Sequence, residues 1–168
     1  MLISDAYREQ NQKLHSDSGD YGASGHRWAD TVASIAEALK TTDVLDYGCG
    51  KQTLKKKLPY VTGYDPCIDG LDDMPSPATL VVCTDVLEHI EPECVDEVLD
   101  DLKRVTGSTI LAVITPVAAL KTLPDGRNAH LTQEPAEWWL PKFFARFNVQ
   151  TYQNFGVSFL VIADSNKA

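Results

Sequence analysis

The residues best suited to chemistry in this chain are two glycines in a short turn, with an acid before them and another further on. The turn is Asp46-Tyr47-Gly48-Cys49-Gly50, directly after the apolar pair Val44-Leu45. Glycine has no Cβ, so the chain can bend sharply here and a ligand can lie against bare backbone. Nineteen residues after Asp46, the stretch 60–64 ends in Asp65, followed by Pro66. A glycine-rich turn after a strand, with an acid about 20 residues later, is the pattern of a ribose and nucleotide site in a doubly wound sheet. The two acceptor oxygens of Asp65 suit a ribose diol. A third group, Thr84-Asp85-Val86-Leu87-Glu88-His89, closes the apolar run 79–84. Ligands in such sheets bind beside the carboxyl ends of strands. Each group also has a plainer reading: the glycines as a strand end, Asp65-Pro66 as a turn, Asp85 as a helix cap, and Glu88 and His89 as exposed first-turn residues.

These residues need strands to position them. Residues 44–47, 60–64, 79–84 and 109–115 read as buried strands, the last two as continuous apolar runs. Between them lie helical patterns. Trp28, Val32, Ile35, Ala36 and Leu39 recur at helical spacing over 26–40, with Ser24 as a candidate cap and Trp28 assigned to the core. Residues 51–58 form a short basic helix ended by Pro59. Pro92 suits the first position of a helix whose apolar face is Val95, Val98, Leu99, Leu102 and Val105, and Gly107 suits its stop. Residues 2–16 are expected as a short polar helix, and 16–25 as a loop dense in turn formers. Residues 132–147 are helical in character, opened by Pro135, and Pro141 is expected to kink or split them. Residues 149–153 and 156–163 finish the chain as a strand pair. The fold expected is α/β: a mostly parallel sheet, helices on both faces, and an antiparallel edge.

At 168 residues the chain is expected to be one domain. Fifteen basic against 24 acidic residues give a formal charge of −9, which argues against a broad phosphate-binding surface. Nucleic-acid partners are therefore disfavoured. The polar start of the chain has no secretory signature, and no apolar run is long enough to span a bilayer. The cysteines Cys49, Cys67, Cys83 and Cys94 show no C-x-x-C spacing and read as reduced thiols, so a cytoplasmic location is expected. The four histidines lack metal-ligand spacing, and no metal is expected.

Together, Val44-Leu45-Asp46-Tyr47-Gly48-Cys49-Gly50, Gly63-Tyr64-Asp65-Pro66 and Val82-Cys83-Thr84-Asp85-Val86-Leu87-Glu88-His89-Ile90 resemble the class I S-adenosylmethionine-dependent methyltransferases, of the compact small-molecule type. The first is similar to the family's acid-x-Gly-x-Gly signature, the second to its ribose-holding acid, and the third to the D-x-L-E-H passage of many small-molecule enzymes. The resemblance covers residues 25–115 well and the ends loosely. Gln52 departs from it where many members carry a third glycine. The stretch between Asp65 and Leu80 also departs: it is too short for the usual helix and third strand, whose acid reads the adenine. The third strand position is therefore expected to be short or missing, with Asp72, Asp73 or Met74 as stand-ins.

The resemblance implies a Rossmann-like doubly wound sheet and S-adenosylmethionine as cofactor. It assigns Asp46 to the ammonium end, Gly48, Cys49 and Gly50 to the methionine part, and Asp65 and Pro66 to the ribose side. Thr84, Asp85 and Val86 would face the amino-acid portion. Residues 1–24 would form an N-terminal helix and lid over a core of 25–168, with Tyr21 covering the donor. His130 is the first candidate base, because related enzymes often carry a histidine in the loop after the fifth strand. His89 is the second. A loop histidine that only holds backbone is the plainer reading of His130. Cys49 is also a small buried residue, and one tryptophan of the pair Trp138-Trp139 is a candidate for an acceptor pocket.

The reading is a methyltransferase acting on an oxygen or nitrogen of a small molecule. Two alternatives stand beside it: a methyltransferase of RNA, DNA or protein, and a cofactor-binding module without activity. A nicotinamide dehydrogenase is more distant, since Gly48-Cys49-Gly50-Lys51-Gln52-Thr53 lacks the third glycine of that fingerprint.

Overall fold

A computed structural model describes residues 1–165. Its centre is one six-stranded sheet: β1 (Val44–Tyr47), β2 (Val61–Tyr64), β3 (Ala78–Thr84), β4 (Thr106–Ile114), β5 (Asn148–Asn154) and β6 (Phe159–Asp164). The order across the sheet is β2-β1-β3-β4-β6-β5. The first four strands run parallel, β6 runs antiparallel to β4, and β5 antiparallel to β6. The Rossmann-like sheet with its antiparallel C-terminal pair is as the motifs imply. The third strand position is missing, and residues 65–77 hold neither strand nor helix.

The helices are α1 (Asp5–Asp17), α2 (Ala29–Ala38), α3 (Thr53–Lys57), α4 (Val95–Val105) and α5 (Ala136–Arg146). Successive strand residues point to opposite faces, so each continuous apolar strand serves two cores. In β3, Val81 and Cys83 join a cluster with α1, α4 and α5, while Leu80 and Val82 join a second with α2 and α3.

Several local expectations change. α1 is more than a polar helix: Ile3 and Tyr7 are buried with Tyr47, Tyr64 and Cys67, and Ser4 caps it by accepting from Tyr7 N. Ser24 makes no cap bond, since the next segment starts as a 3-10 turn, Gly25–Trp28, that runs into α2. Trp28 is half-buried against Phe155 rather than deep in the core. Pro92 opens a 3-10 turn, Pro92–Cys94, ahead of α4. Gly107 lies inside β4, where a Cβ would come within 2.9 Å of Ala78 O. The helix stops instead at Thr106, whose hydroxyl donates to Leu102 O. Pro141 does not split α5. The fully buried rings of Trp139 and Phe143 anchor the helix on both sides of it, and the Trp139 indole donates to Glu134 O at 2.9 Å. Neither tryptophan reaches the cavity described next.

Candidate active site

A cavity of about 610 Å³ opens at the carboxyl tips of β1, β2, β3 and β4, within the range of small-molecule sites. The glycine turn forms its floor. Gly48 has φ +78°, and a Cβ there would collide with the Val86 side chain. Gly50 has φ +48°, and a Cβ there would collide with the Gly22 backbone. Both positions therefore require glycine for conformation and for space. The turn is pinned to the end of β2, where Tyr64 O accepts from Gly48 N and Cys49 N.

Asp65 ties this floor to the next loop. Its Oδ2 accepts from Gly50 N and its Oδ1 from Cys67 N, both at 3.0 Å. Asp65, Pro66 and Cys67 all line the cavity. Asp46, behind the turn, is buried off the cavity wall. Burial, then the nearby Asp65 charge, pushes its carboxyl up to about 7. Cys49 is also off the wall. Its sulfur would lie 2.7 Å from a Cβ on Gly63, and burial pushes the thiol up, away from nucleophilic character. Thr84 is buried at the tip of β3 and is likewise not part of the wall.

Asp85 and Val86 do line it. Asp85 takes the left-handed conformation, φ +55°, at the strand's abrupt end. Its N–H donates to Val113 O, and its Oδ1 accepts from the Thr115 hydroxyl at 3.0 Å. Glu88 is fully buried, not exposed: Oε1 accepts from Thr115 N at 2.9 Å and Oε2 has no partner. Burial, then the Asp85 charge, pushes its carboxyl up to about 8.

Both candidate histidines reach the cavity. His130 Nδ1 lies 2.5 Å from Val117 O, and His89 Nδ1 lies 2.8 Å from Ala129 O. A carbonyl only accepts, so each Nδ1 carries a hydrogen and each neutral ring keeps its lone pair on Nε2. The two rings meet edge to face, with centroids 4.6 Å apart. Burial, then the His130 charge, drives His89 down to about 3, so it stays neutral. Tyr21 OH lies 3.3 Å from His89 Nδ1, and its ring packs on His15. Burial pushes the Tyr21 phenol up, so it stays protonated.

The wall also holds residues that the motifs do not mark, among them Tyr7, Asn11 and His15 of α1, and Thr115. One signal was available for Asn11. It continues the buried stripe Ile3, Tyr7 as the single polar residue before Leu14. Nothing local marks Thr115, whose role depends on β3 and β4 being neighbours. Among the described residues no three His, Cys, Asp or Glu side chains converge to hold a metal ion.

Solved structures share this architecture. The magnesium protoporphyrin IX methyltransferase of Synechocystis PCC 6803, solved with bound S-adenosylhomocysteine, superposes with TM-score 0.58 at 18% identity over 84% of this chain and 83% of its own. The 1,6-didemethyltoxoflavin N1-methyltransferase of Burkholderia thailandensis gives TM-score 0.69 at 14% identity, covering 95% of this chain and 87% of its own. The chain has the class I methyltransferase fold. A 16S rRNA methylase, RmtB, also shares it, with TM-score 0.57 at 16% identity over 99% of this chain and 77% of its own. No protein-family model and no curated protein sequence matches the chain. Within the methyltransferase fold, the cavity occupies the crevice beside the parallel strand tips where such sheets bind ligands.

Proposed function

We propose that this chain is an S-adenosylmethionine-dependent methyltransferase acting on an oxygen or nitrogen of a small-molecule acceptor. One observation carries the reading. A glycine floor with no room for side chains meets the carboxylates of Asp65 and Asp85 in one cavity at the tips of β1, β2 and β3. That combination fits the cofactor. Bare backbone at Gly48 and Gly50 admits a close-lying chain, and the acids complement its ammonium and sulfonium charges. Asp65 keeps unused lone pairs for a diol, although it already accepts two backbone bonds. Asp46 supports the floor from behind.

When bound, S-adenosylmethionine supplies a methyl group on a positively charged sulfur, a donor that needs no further activation. The chain's own task is to orient the acceptor and to take its proton. His130 is the proposed base. The Val117 carbonyl fixes its tautomer and leaves Nε2 able to accept the acceptor's O–H or N–H proton. His89, held neutral by burial, orients His130 and Tyr21 instead of taking the proton. Residues 1–24 act as the lid, with α1 and Gly22 packed over the floor.

The formal charge of −9 favours a small acceptor over nucleic acid. No helix among the described residues is long and apolar enough to cross a membrane. The test is calorimetric titration with S-adenosylmethionine, followed by an assay for S-adenosylhomocysteine release with pooled phenols, carboxylic acids and amines. Binding with turnover is expected. No binding refutes the assignment, and binding without turnover on any pool favours a non-catalytic module.

A further inference from the structure

The loop 65–77 supplies no strand or helix beside β2, so the usual crossover wall next to the ribose acid is missing. α1 stands there instead. Arg8 Nη1 donates to Pro66 O at 2.6 Å, and Ser4 donates through its N–H and hydroxyl to the Glu91 carboxylate. The helix therefore bridges the loop after β2 and the segment that leads into α4. Ile3, Tyr7, Pro66 and Cys67 give the cavity an apolar wall beside Asp65.

One polar side chain interrupts that wall. Asn11 is only 6% exposed and lines the cavity. Its Nδ2 donates to Tyr7 OH at 2.6 Å and to Tyr21 OH at 3.2 Å, while its Oδ1 has no partner. Turning the amide over changes nothing in this count. One end then pairs with both hydroxyls, which can donate as well as accept, and the other end is still left over. A buried polar atom with no partner costs stability, so its persistence on a cavity wall points to a ligand group that completes it.

We propose that α1 reads the purine of the cofactor. Ile3, Tyr7, Pro66 and Cys67 hold its faces, and the free end of the Asn11 amide hydrogen-bonds its polar edge. The proposal rests on the nucleoside cofactor inferred above and adds the residues that recognise the base. A 6-aminopurine presents a donor and a ring acceptor side by side, so it complements either end of the amide. A helix from the start of the chain thus replaces the crossover that the chain lacks. Asp72, Asp73 and Met74, the stand-ins expected from sequence, are outside the cavity wall.

The test compares two ligands by titration calorimetry: S-adenosylhomocysteine and its analogue with unsubstituted purine, which lacks the 6-amino group. The wild-type chain should prefer the 6-amino ligand by about tenfold or more. Asn11→Ala should bring the two affinities together. Tyr7→Phe keeps the ring but removes a hydroxyl that orients the amide, and it should narrow the gap in the same direction. It serves if Asn11→Ala does not fold. Equal wild-type affinities, or a preference unchanged in the folded variants, overturn the role of α1 alone. A wild-type chain that binds neither ligand overturns the nucleoside reading as well.

Discussion

Gly22 and Gly50 are packed backbone to backbone. The Gly22 carbonyl accepts from Lys51 N at 2.8 Å, in the space that a Cβ on Gly50 would need. Both residues have positive φ, +71° and +48°. The contact joins the loop after α1 to the floor of the site, so the N-terminal segment and the glycine turn are built as a pair.

Gly50→Ala should therefore damage both stability and binding. The left-handed conformation costs a side chain about 1–2 kcal/mol, and the collision with Gly22 adds to it. Thermal unfolding should show a drop of several degrees, and affinity for S-adenosylhomocysteine should fall at least about tenfold. An unchanged melting temperature would show that the contact does not form.

Asp46 sets a pH dependence of stability. Its folded pKa of about 7 lies above the unfolded 3.8, so the stabilisation is fully present below about pH 4 and is lost as pH rises through 7. The gap of about 3 units corresponds to about 4 kcal/mol between its protonation states. The melting temperature should fall between about pH 4 and 7 and level off above it, and Asp46→Asn should flatten that fall. A cationic ligand favours the ionised acid, so binding near pH 7 should release protons. Calorimetry in buffers of different ionisation enthalpy measures that release.

Glu88 titrates in the same sense, with a folded pKa of about 8, so it is protonated at neutral pH. Glu88→Gln keeps the acceptor for Thr115 N without a charge and should shift stability by about 1 kcal/mol or less. Glu88→Ala leaves that N–H and a cavity behind and should cost about 2–4 kcal/mol. Chemical denaturation of the two variants separates these outcomes. Equal losses would mean that the carboxyl is held as an anion.

His130→Gln should leave cofactor affinity unchanged and lower kcat by about 10²–10⁴ on an acceptor that must lose a proton. An acceptor with no proton to lose should be methylated at an unchanged rate by His130→Gln. His89→Gln should cost less on the proton-losing acceptor, since a ring held neutral down to about pH 3 is a weak base. The larger loss in His89→Gln instead would exchange their roles.

The sequence alone fixed what depends on neighbours along the chain. Continuous apolar runs gave the inner strands, and the acids after them gave the strand tips. The pair Gly48 and Gly50 marked a turn that no other residue type can make in that space. The short stretch after Asp65 foretold the missing third strand. Tertiary structure decided the rest, because those features belong to pairs of residues far apart in the chain. The position of α1 follows from the face left uncovered where no crossover helix exists, and no periodicity within residues 5–17 encodes that. Tyr7, Asn11 and Tyr21 become a cluster only there. The histidines acquire their tautomers from the carbonyls of Val117 and Ala129, and Glu88 its proton from burial against Thr115. A residue's type limits its chemistry, but its protonation and partners are set by the solvent and dipoles that packing places around it.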